Sequence, residues 1–153
     1  MTPAPGWHAP AALAARLLVG AAFLFSGVEK AASGPAEFAV VIEAYRLVPD
    51  SLLLPMAALL PWLEAFLGMC LLSGYALPAT FAAAAAFLSL FIVAIASTLL
   101  RKIPLESCGC FGGAIHLSPP QALTLDCALF SASLWARRRA TPLALDGWIA
   151  RGR

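Results

Sequence analysis

The chain has 153 residues, of which 61% are hydrophobic and only 12% are charged. An ordinary soluble domain is about 45–50% apolar and about 25% charged, so this composition excludes a soluble enzyme or a disordered chain, because the excess apolar surface would aggregate. The formal net charge of +2 is too small to indicate a nucleic-acid partner, and the chain is therefore expected to form one integral membrane domain.

Four apolar segments are long enough to cross a bilayer, which takes about 20 residues at a rise of about 1.5 Å each. They run from about Pro10 to Lys30, from Leu52 to Gly74, from Ala76 to Leu100 and from Pro119 to Ala136. Residues 37–49 predict a short surface helix, because four of their apolar side chains share one face: Phe38, Val41, Ile42 and Tyr45. The predicted fold is all-α, a four-transmembrane-helix bundle with a short interfacial helix between spans 1 and 2.

Basic residues predict the orientation of this bundle. Three arginines, Arg137 to Arg139, directly follow the fourth span, and such clusters mark the cytoplasmic side. We therefore predict that both termini are cytoplasmic and that loops 31–51 and 101–118 lie outside. Residues 1–136 are the predicted transmembrane domain, and residues 137–153 are a basic cytoplasmic tail.

The first span carries a stripe of residues spaced by three or four positions, which places them on one helical face. The stripe consists of Arg16, Gly20, Phe23, Gly27 and Lys30. Small residues on such a stripe allow another helix backbone to approach closely.

Four ionisable residues lie inside the predicted spans: Arg16, Lys30, Glu64 and Asp126. Burying a charge in a bilayer is costly unless it is paired, and depth along the helices predicts the pairs Arg16–Glu64 and Lys30–Asp126. Pro61 predicts a kink just before Glu64. Two interpretations remain open, a network that carries protons or substrate and a network that only joins the helices.

The second external loop contains a Cys-Gly-Cys sequence at Cys108 and Cys110. A disulfide across one intervening residue would be strained, and strained, exposed disulfides exchange readily. The pattern favours a redox-active pair. Three alternatives stay open: a static disulfide, separate or intermolecular bridges, and a metal site helped by Glu106 and His116, although no metal is assigned.

Two further cysteines, Cys70 and Cys127, lie within predicted spans. A buried free cysteine commonly acts as a small apolar residue, so both are interpreted as structural.

Together these features resemble the MauE/DoxX-like family of small four-helix membrane proteins, over about residues 12–135. The resemblance rests on the first-span stripe with Ser26, the segment from Phe38 to Pro49, the Leu-Pro-Trp-Leu-Glu sequence at 60–64, the Cys-Gly-Cys-Phe-Gly sequence at 108–112 and the acidic residue of the last span. The cysteine sequence is typical of the MauE branch.

The resemblance implies sulfur redox chemistry at the inner (cytoplasmic) membrane of a bacterium. MauE-type proteins are associated with methylamine utilisation, in which a disulfide-rich subunit of methylamine dehydrogenase matures in the periplasm beside a thioredoxin-like protein. DoxX-like relatives are linked to thiosulfate or sulfide oxidation that feeds quinone.

The resulting functional prediction is a membrane thiol–disulfide oxidoreductase or maturation factor. Cys108 and Cys110 would exchange disulfides with a periplasmic thioredoxin-like partner, and Glu64 would carry protons or help to line a quinone pocket. Quinone is the one cofactor suggested. The alternatives are a non-enzymatic membrane scaffold with a structural disulfide, or a quinone-linked or transport subunit that uses a proline-broken second span. A membrane complex or a homo-oligomer is compatible with each.

Overall fold

The computed structural model describes residues 8–103 and 117–139. These residues form five helices and no strand: α1 (His8–Ser33), α2 (Pro35–Ala44), α3 (Asp50–Ser73), α4 (Leu77–Leu100) and α5 (Pro119–Arg137). The predicted all-α fold and the order of its helices are thereby confirmed. Cys108, Cys110, their loop neighbours Glu106 and His116, and the tail from residue 140 onward lie outside the described residues.

The helices are those of a membrane-embedded protein. Within the described ranges, α1 from Ala9, α3 and α4 are long and apolar enough to cross a membrane. The predicted fourth span, α5, is not among them, because its 19 residues include several polar side chains. Leu18, Trp62 and Leu90 are each 68% exposed on the outer faces. Such apolar outer surfaces are suited to lipid rather than to water.

Helices α1 and α3 pack antiparallel at unusually close range. A Cβ added at Gly27 would lie 2.5 Å from the Ala65 nitrogen and from the Pro61 carbonyl oxygen. A Cβ added at Gly68 would lie 2.5 Å from the Leu24 nitrogen. The predicted stripe on α1 is therefore confirmed as a packing face, and its glycines set the register of the two helices.

Helix α3 continues through both of its internal prolines, Pro55 and Pro61. The proline-broken second span of the transport alternative is therefore not formed, whereas the predicted kink at Pro61 stays a prediction. The helix ends at Gly74, whose φ of 76° is a left-handed conformation that glycine adopts without a steric cost, and whose amide donates to the Cys70 carbonyl at 2.9 Å.

Helices α4 and α5 form a second antiparallel pair that packs against α1. Ile95 near the end of α4 packs with Ala122 near the start of α5, whereas Phe81 near the start of α4 belongs to the same core cluster as Ala136. The end of α1, the start of α3, the end of α4 and the start of α5 consequently share one end of the bundle. We call it the α2 end, because Phe38 and Ile42 of α2 pack there against Leu53 and Ala57 of α3.

Candidate functional site

A buried ion pair joins Lys30, about one turn before the end of α1, to Glu64, about four turns into α3. The Lys30 Nζ donates to Glu64 Oε1 at 2.7 Å and to Oε2 at 2.8 Å, and the Ser26 hydroxyl donates to Oε2 at 2.7 Å. Lys30 is 2% exposed and Glu64 1% exposed. Ser26 and Lys30 are four residues apart on α1, so both side chains lie on the face that meets α3.

This geometry corrects the predicted charge pairs. Arg16 does not pair with Glu64, since Gly27 lies against Ala65 and Arg16 is eleven residues before Gly27, about 16 Å along the helix axis. An arginine side chain is too short to cover that distance. Arg16 is buried, but toward the opposite end of the bundle.

The other predicted pair, Lys30–Asp126, is not formed as a direct ion pair within the part of the chain that the structure describes. Asp126 of α5 instead lines a small cavity together with Lys30, Glu64 and Ser26. Its side chain is 7% exposed, and its Oδ2 accepts no hydrogen bond from any residue in the described ranges. The cavity has a volume of about 30 Å³, which is room for about one water molecule between the three charged groups.

Two aromatic rings complete the surroundings of Lys30. Its Nζ lies 4.8 Å from the centroid of the Phe91 ring on α4 and 5.3 Å from that of Phe38 on α2. Both distances are typical of cation–π contacts, which are worth most where water is excluded. Side chains from all five helices therefore surround this ammonium group.

A second, larger cavity lies between α2, α3 and α4 and reaches Lys30. It has a volume of about 190 Å³, and its walls are almost entirely apolar and aromatic. The predicted apolar face of α2 is confirmed, since all four of its residues line this cavity. The contribution of α4, from Phe87, Phe91 and Ala94, was not recognised in the sequence. Their spacing of four and three residues was the available signal, but it is also typical of ordinary core packing.

The residues on either side of the cysteine segment are held at the α2 end. Arg101 Nη2 donates to the Tyr45 carbonyl at 2.5 Å, and Nη1 donates to the Arg46 carbonyl at 3.2 Å. Leu117, on the far side of the segment, packs with Tyr45 against Ile95 and Ala122. Burial, together with a smaller contribution from the charge of Asp126, raises the pKa of the Tyr45 hydroxyl to about 12.

The cysteines of the spans have different environments. Cys70 is buried in α3, whereas Cys127 is exposed on α5, and both are free thiols. Within residues 8–103 and 117–139, no three His, Cys, Asp or Glu side chains are grouped to hold a metal ion.

The family model for the methylamine utilisation protein MauE matches residues 8–138, a range that includes all five helices. No match was found among curated proteins or among solved structures.

Proposed function

Because the chain belongs to the methylamine utilisation protein MauE family, we propose that this membrane protein is a thiol–disulfide redox or maturation factor. Cys108 and Cys110 are the reacting thiols in this proposal, and a periplasmic thioredoxin-like protein is the partner. One observation carries it. The buried Lys30–Glu64–Asp126 cluster lies inside the bundle, about one to four helical turns from the α2 end, at which Arg101 and Leu117, which flank the cysteine segment, are held.

The chemistry is a two-step exchange. A thiolate of Cys108 or Cys110 attacks one sulfur of the partner's disulfide, which forms a mixed disulfide and releases a partner thiolate. The second cysteine then attacks the mixed disulfide and releases the other partner sulfur. The chain is oxidised by two electrons to a Cys108–Cys110 disulfide, and the partner is reduced to a dithiol.

The proton balance of this exchange gives the charge cluster a role. Cys108 and Cys110 release two protons as they become a disulfide, and the two partner sulfurs take up two as they become thiols, so protons must pass between the two pairs of sulfurs. Buried ionisable groups inside a membrane are the usual carriers of such protons. Asp126 has a buried oxygen that accepts no hydrogen bond from the described residues, and it lines a cavity of water size beside Glu64. We assign proton transfer to these two carboxylates and their orientation to Lys30.

The proposal includes the topology on which the partner's access depends. Helix α5 is the fourth span, both termini are in the cytoplasm of a bacterium, and the α2 end faces the periplasm. The arginines at the end of α5 support this orientation, because Arg137, Arg138 and Arg139 lie at the opposite end and are all exposed.

The test is to trap the mixed disulfide. Cys108→Ser and Cys110→Ser would each be expressed at natural level in cells of the source organism. Acid quenching, thiol alkylation, non-reducing electrophoresis and mass spectrometry would then follow. We expect one of the two variants to accumulate an adduct with a soluble thioredoxin-fold protein, because the resolving thiol is missing.

Cys127→Ser is the matched control, since Cys127 is an exposed cysteine of the same chain that the mechanism does not use. It should trap nothing and should leave methylamine-dependent growth unchanged. Absence of an adduct from both loop variants, with normal amounts of protein in the membrane, would instead support a scaffold with a structural disulfide.

The proton role has a separate test in Asp126→Asn. Asparagine keeps the size of the side chain but cannot bind or release a proton near neutral pH. We expect the variant to be present at wild-type level. Cells that carry it should grow at about half the wild-type rate or less with methylamine as the nitrogen source, because proton transfer by a positioned side chain contributes about 10²–10⁴-fold to such reactions. Normal growth would show that the charge at this position is not needed.

A further inference from the structure

We propose that the cavity between α2, α3 and α4 binds an anionic phospholipid, with one acyl chain in the cavity and the phosphate group at three basic residues beside its opening. These residues are Arg46, Arg101 and Lys102. The proposed thiol exchange uses none of the three, so the inference does not depend on it. The depth of the cavity, its walls, the neighbouring cations and their charge balance each support this occupant.

The cavity lies at the depth of the acyl chains of one leaflet. Its lining residues on α4 run from Phe87 to Ala94, which is about 10 Å along the helix axis. Because α4 ends at Leu100, the cavity extends from about 9 Å to about 20 Å inside that end of the helix. Half of the hydrocarbon core of a bilayer is about 15 Å thick. The cavity is therefore mostly in the leaflet at the α2 end.

The walls of the cavity suit a hydrocarbon chain. Among the described residues, the lining side chains are aliphatic, phenylalanine or methionine side chains apart from Lys30 and Tyr45. An apolar cavity of about 150 Å³ takes up a benzene molecule, and this one has a volume of about 190 Å³. Leu47 and Leu90, which also line it, are 49% and 68% exposed, so the cavity opens toward the lipid.

The three basic residues lie at this opening, on the two turns that follow α2 and α4. Arg46 lies in the chain between Tyr45 and Leu47, which both line the cavity. The Arg101 guanidinium group donates to the carbonyls of Tyr45 and Arg46, and Lys102 is the next residue in the chain. All three cations are exposed. The bonds of Arg101 thus hold the two turns together and gather the positive charge beside the opening.

The backbone at two of these cations is unfavourable for any residue that has a Cβ. Arg46 has a φ of 51° and Lys102 a φ of 54°, both in the left-handed region. Each is the second residue after the end of its helix, α2 at Ala44 and α4 at Leu100, a position where glycine is usual. A basic residue in place of glycine at both turns indicates that the side chains have a use that outweighs the strain.

The local charge favours a headgroup with one net negative charge. Residues 43–50 and 101–102 contain the three cations and two carboxylates, Glu43 and Asp50, which leaves one positive charge in excess. Neither Arg46 nor Lys102 forms an ion pair with a residue in the described ranges. The phosphodiester of an anionic phospholipid carries one negative charge on oxygens that guanidinium and ammonium groups bind well. A zwitterionic lipid would leave the excess charge unbalanced.

The test is native mass spectrometry of the full-length chain released from non-ionic detergent micelles. The chain would be titrated with dioleoylphosphatidylglycerol and, separately, with dioleoylphosphatidylcholine and with oleate. We expect one phosphatidylglycerol molecule per chain, bound at least about fivefold more tightly than phosphatidylcholine, because one basic residue contributes about that factor toward an anionic headgroup. Oleate should also bind more weakly, since a carboxylate has fewer acceptor oxygens for three cations.

Two glycine substitutions test the headgroup site. Arg46→Gly removes one cation, and glycine adopts the left-handed conformation without a steric cost, so the variant should fold as well as the wild type. It should bind phosphatidylglycerol about fivefold more weakly. Ala76→Gly is the matched control, because Ala76 has a φ of 46° in the turn between α3 and α4 at the opposite end of the bundle. It should bind as the wild type does.

Two phenylalanine substitutions on α4 test the acyl-chain site. Ala94→Phe fills the cavity and should weaken binding about tenfold, the effect of excluding about two methylene groups. Ala86→Phe places the same side chain on an exposed position of the same helix and should leave binding unchanged.

Several results would overturn the inference. Equal affinity for phosphatidylglycerol and for either phosphatidylcholine or oleate would contradict the headgroup assignment, as would wild-type affinity of Arg46→Gly. Equal affinities of Ala94→Phe and Ala86→Phe would place the acyl chain elsewhere. A lipid-free dimer that Ala94→Phe abolishes would assign the cavity to a second copy of the chain. Because no thiol reacts in these titrations, each result is independent of the trapping experiment.

Discussion

Lys30 is the residue at which the five helices of this protein meet. It lies on α1, is bonded to Glu64 of α3, is flanked by Phe38 of α2 and Phe91 of α4, and shares a cavity with Asp126 of α5. A buried ion pair contributes less to stability than its short distances suggest, because both groups lose their hydration. Removing only one of the two side chains nevertheless destabilises the fold strongly, since the charge of the other remains buried without a partner.

The first prediction concerns this pair. Lys30→Met and Glu64→Gln should each lower the free energy of unfolding by about 3–5 kcal/mol. The reason is that each substitution leaves the charge of the other residue buried in the core without a counter-charge. The double variant Lys30→Met/Glu64→Gln should recover most of the loss. Unfolding in mixed micelles, followed by circular dichroism, would measure all three.

Glu37→Gln is the control for this experiment, as Glu37 is exposed on α2 and should be close to neutral in effect. If the losses of the two single variants simply added in the double variant, the two side chains would not be energetically coupled.

The second prediction concerns pH. The pKa of Tyr45 is raised from 10.0 to about 12 in the folded state, so the folded protein binds this proton more tightly than the unfolded chain. Its contribution to stability is therefore complete below about pH 10 and is lost as the pH rises toward about 12. In Tyr45→Phe, which has no ionisable hydroxyl, the free energy of unfolding should fall less between about pH 10 and about pH 12 than in the wild type.

Alkaline unfolding of the wild type and of Tyr45→Phe should be compared, since the backbone carbonyl that binds Arg101 remains in the variant. Tyr75→Phe is the control, because Tyr75 is exposed. Identical alkaline profiles for the wild type and Tyr45→Phe would contradict the assignment.

The sequence identified the individual charged residues but not their pairs. A charge inside a long apolar segment is visible in composition, which is why Lys30, Glu64 and Asp126 could be selected. Which charges meet depends on how far one helix is shifted against another. The predicted pairs came from the depth of each residue in its own span, as if the ends of all spans lay in the same two planes. That assumption placed Glu64 at nearly the depth of Arg16 and so paired the wrong residues.

At the scale of the helix pair, glycines rather than apolar length determine the shift between α1 and α3. Gly27 lies against Pro61 and Ala65, and Gly20 lies against Leu71. The shift brings Lys30 within one turn of Glu64. The stripe of small residues was recognised in the sequence, but its partner positions on α3 were not, because several registers would bury the same apolar faces.

The third prediction tests this register. Gly27→Ala and Gly68→Ala should each cost about 3 kcal/mol, because the new Cβ would lie 2.5 Å from backbone atoms, which cannot move without separating the helices. Gly20→Ala should cost about 1 kcal/mol or less, since its nearest neighbours are leucine side-chain atoms at 3.1 Å. Unfolding in mixed micelles would give the order of the three.

A larger loss for Gly20→Ala than for Gly27→Ala would contradict the close backbone contact. Ser73→Ala, at the exposed end of α3, provides a control for a small change on the same helix pair.

At the scale of the whole molecule, the number and order of helices could be predicted because long apolar segments and breaks at proline and glycine are strong local signals. The exception is α5, which is predicted to span the membrane but is more polar than the other long helices. Its polar residues include Asp126 and Ser133, which are buried in the bundle rather than exposed to lipid. Burial against α1 and α4 explains how such a sequence can cross a bilayer.

The fourth prediction tests whether α5 crosses. In a chain whose native cysteines are replaced by serine, Pro120→Cys and Arg138→Cys place single thiols at exposed positions on opposite ends of α5. In intact cells an impermeant maleimide should label the first thiol and should reach the second only after permeabilisation. Labelling of both from the same side would show that α5 does not span.

The bond between Lys30 and Glu64 has a consequence for biosynthesis. The two residues are separated by 34 positions in the chain, so the ribosome makes α1 well before the carboxylate that neutralises its lysine. At about 5–20 residues per second, the delay is about 2–7 s. During that interval the ammonium group near the end of α1 must extend to the lipid headgroups. We therefore expect α1 to reach its final depth only when α3 has been synthesised.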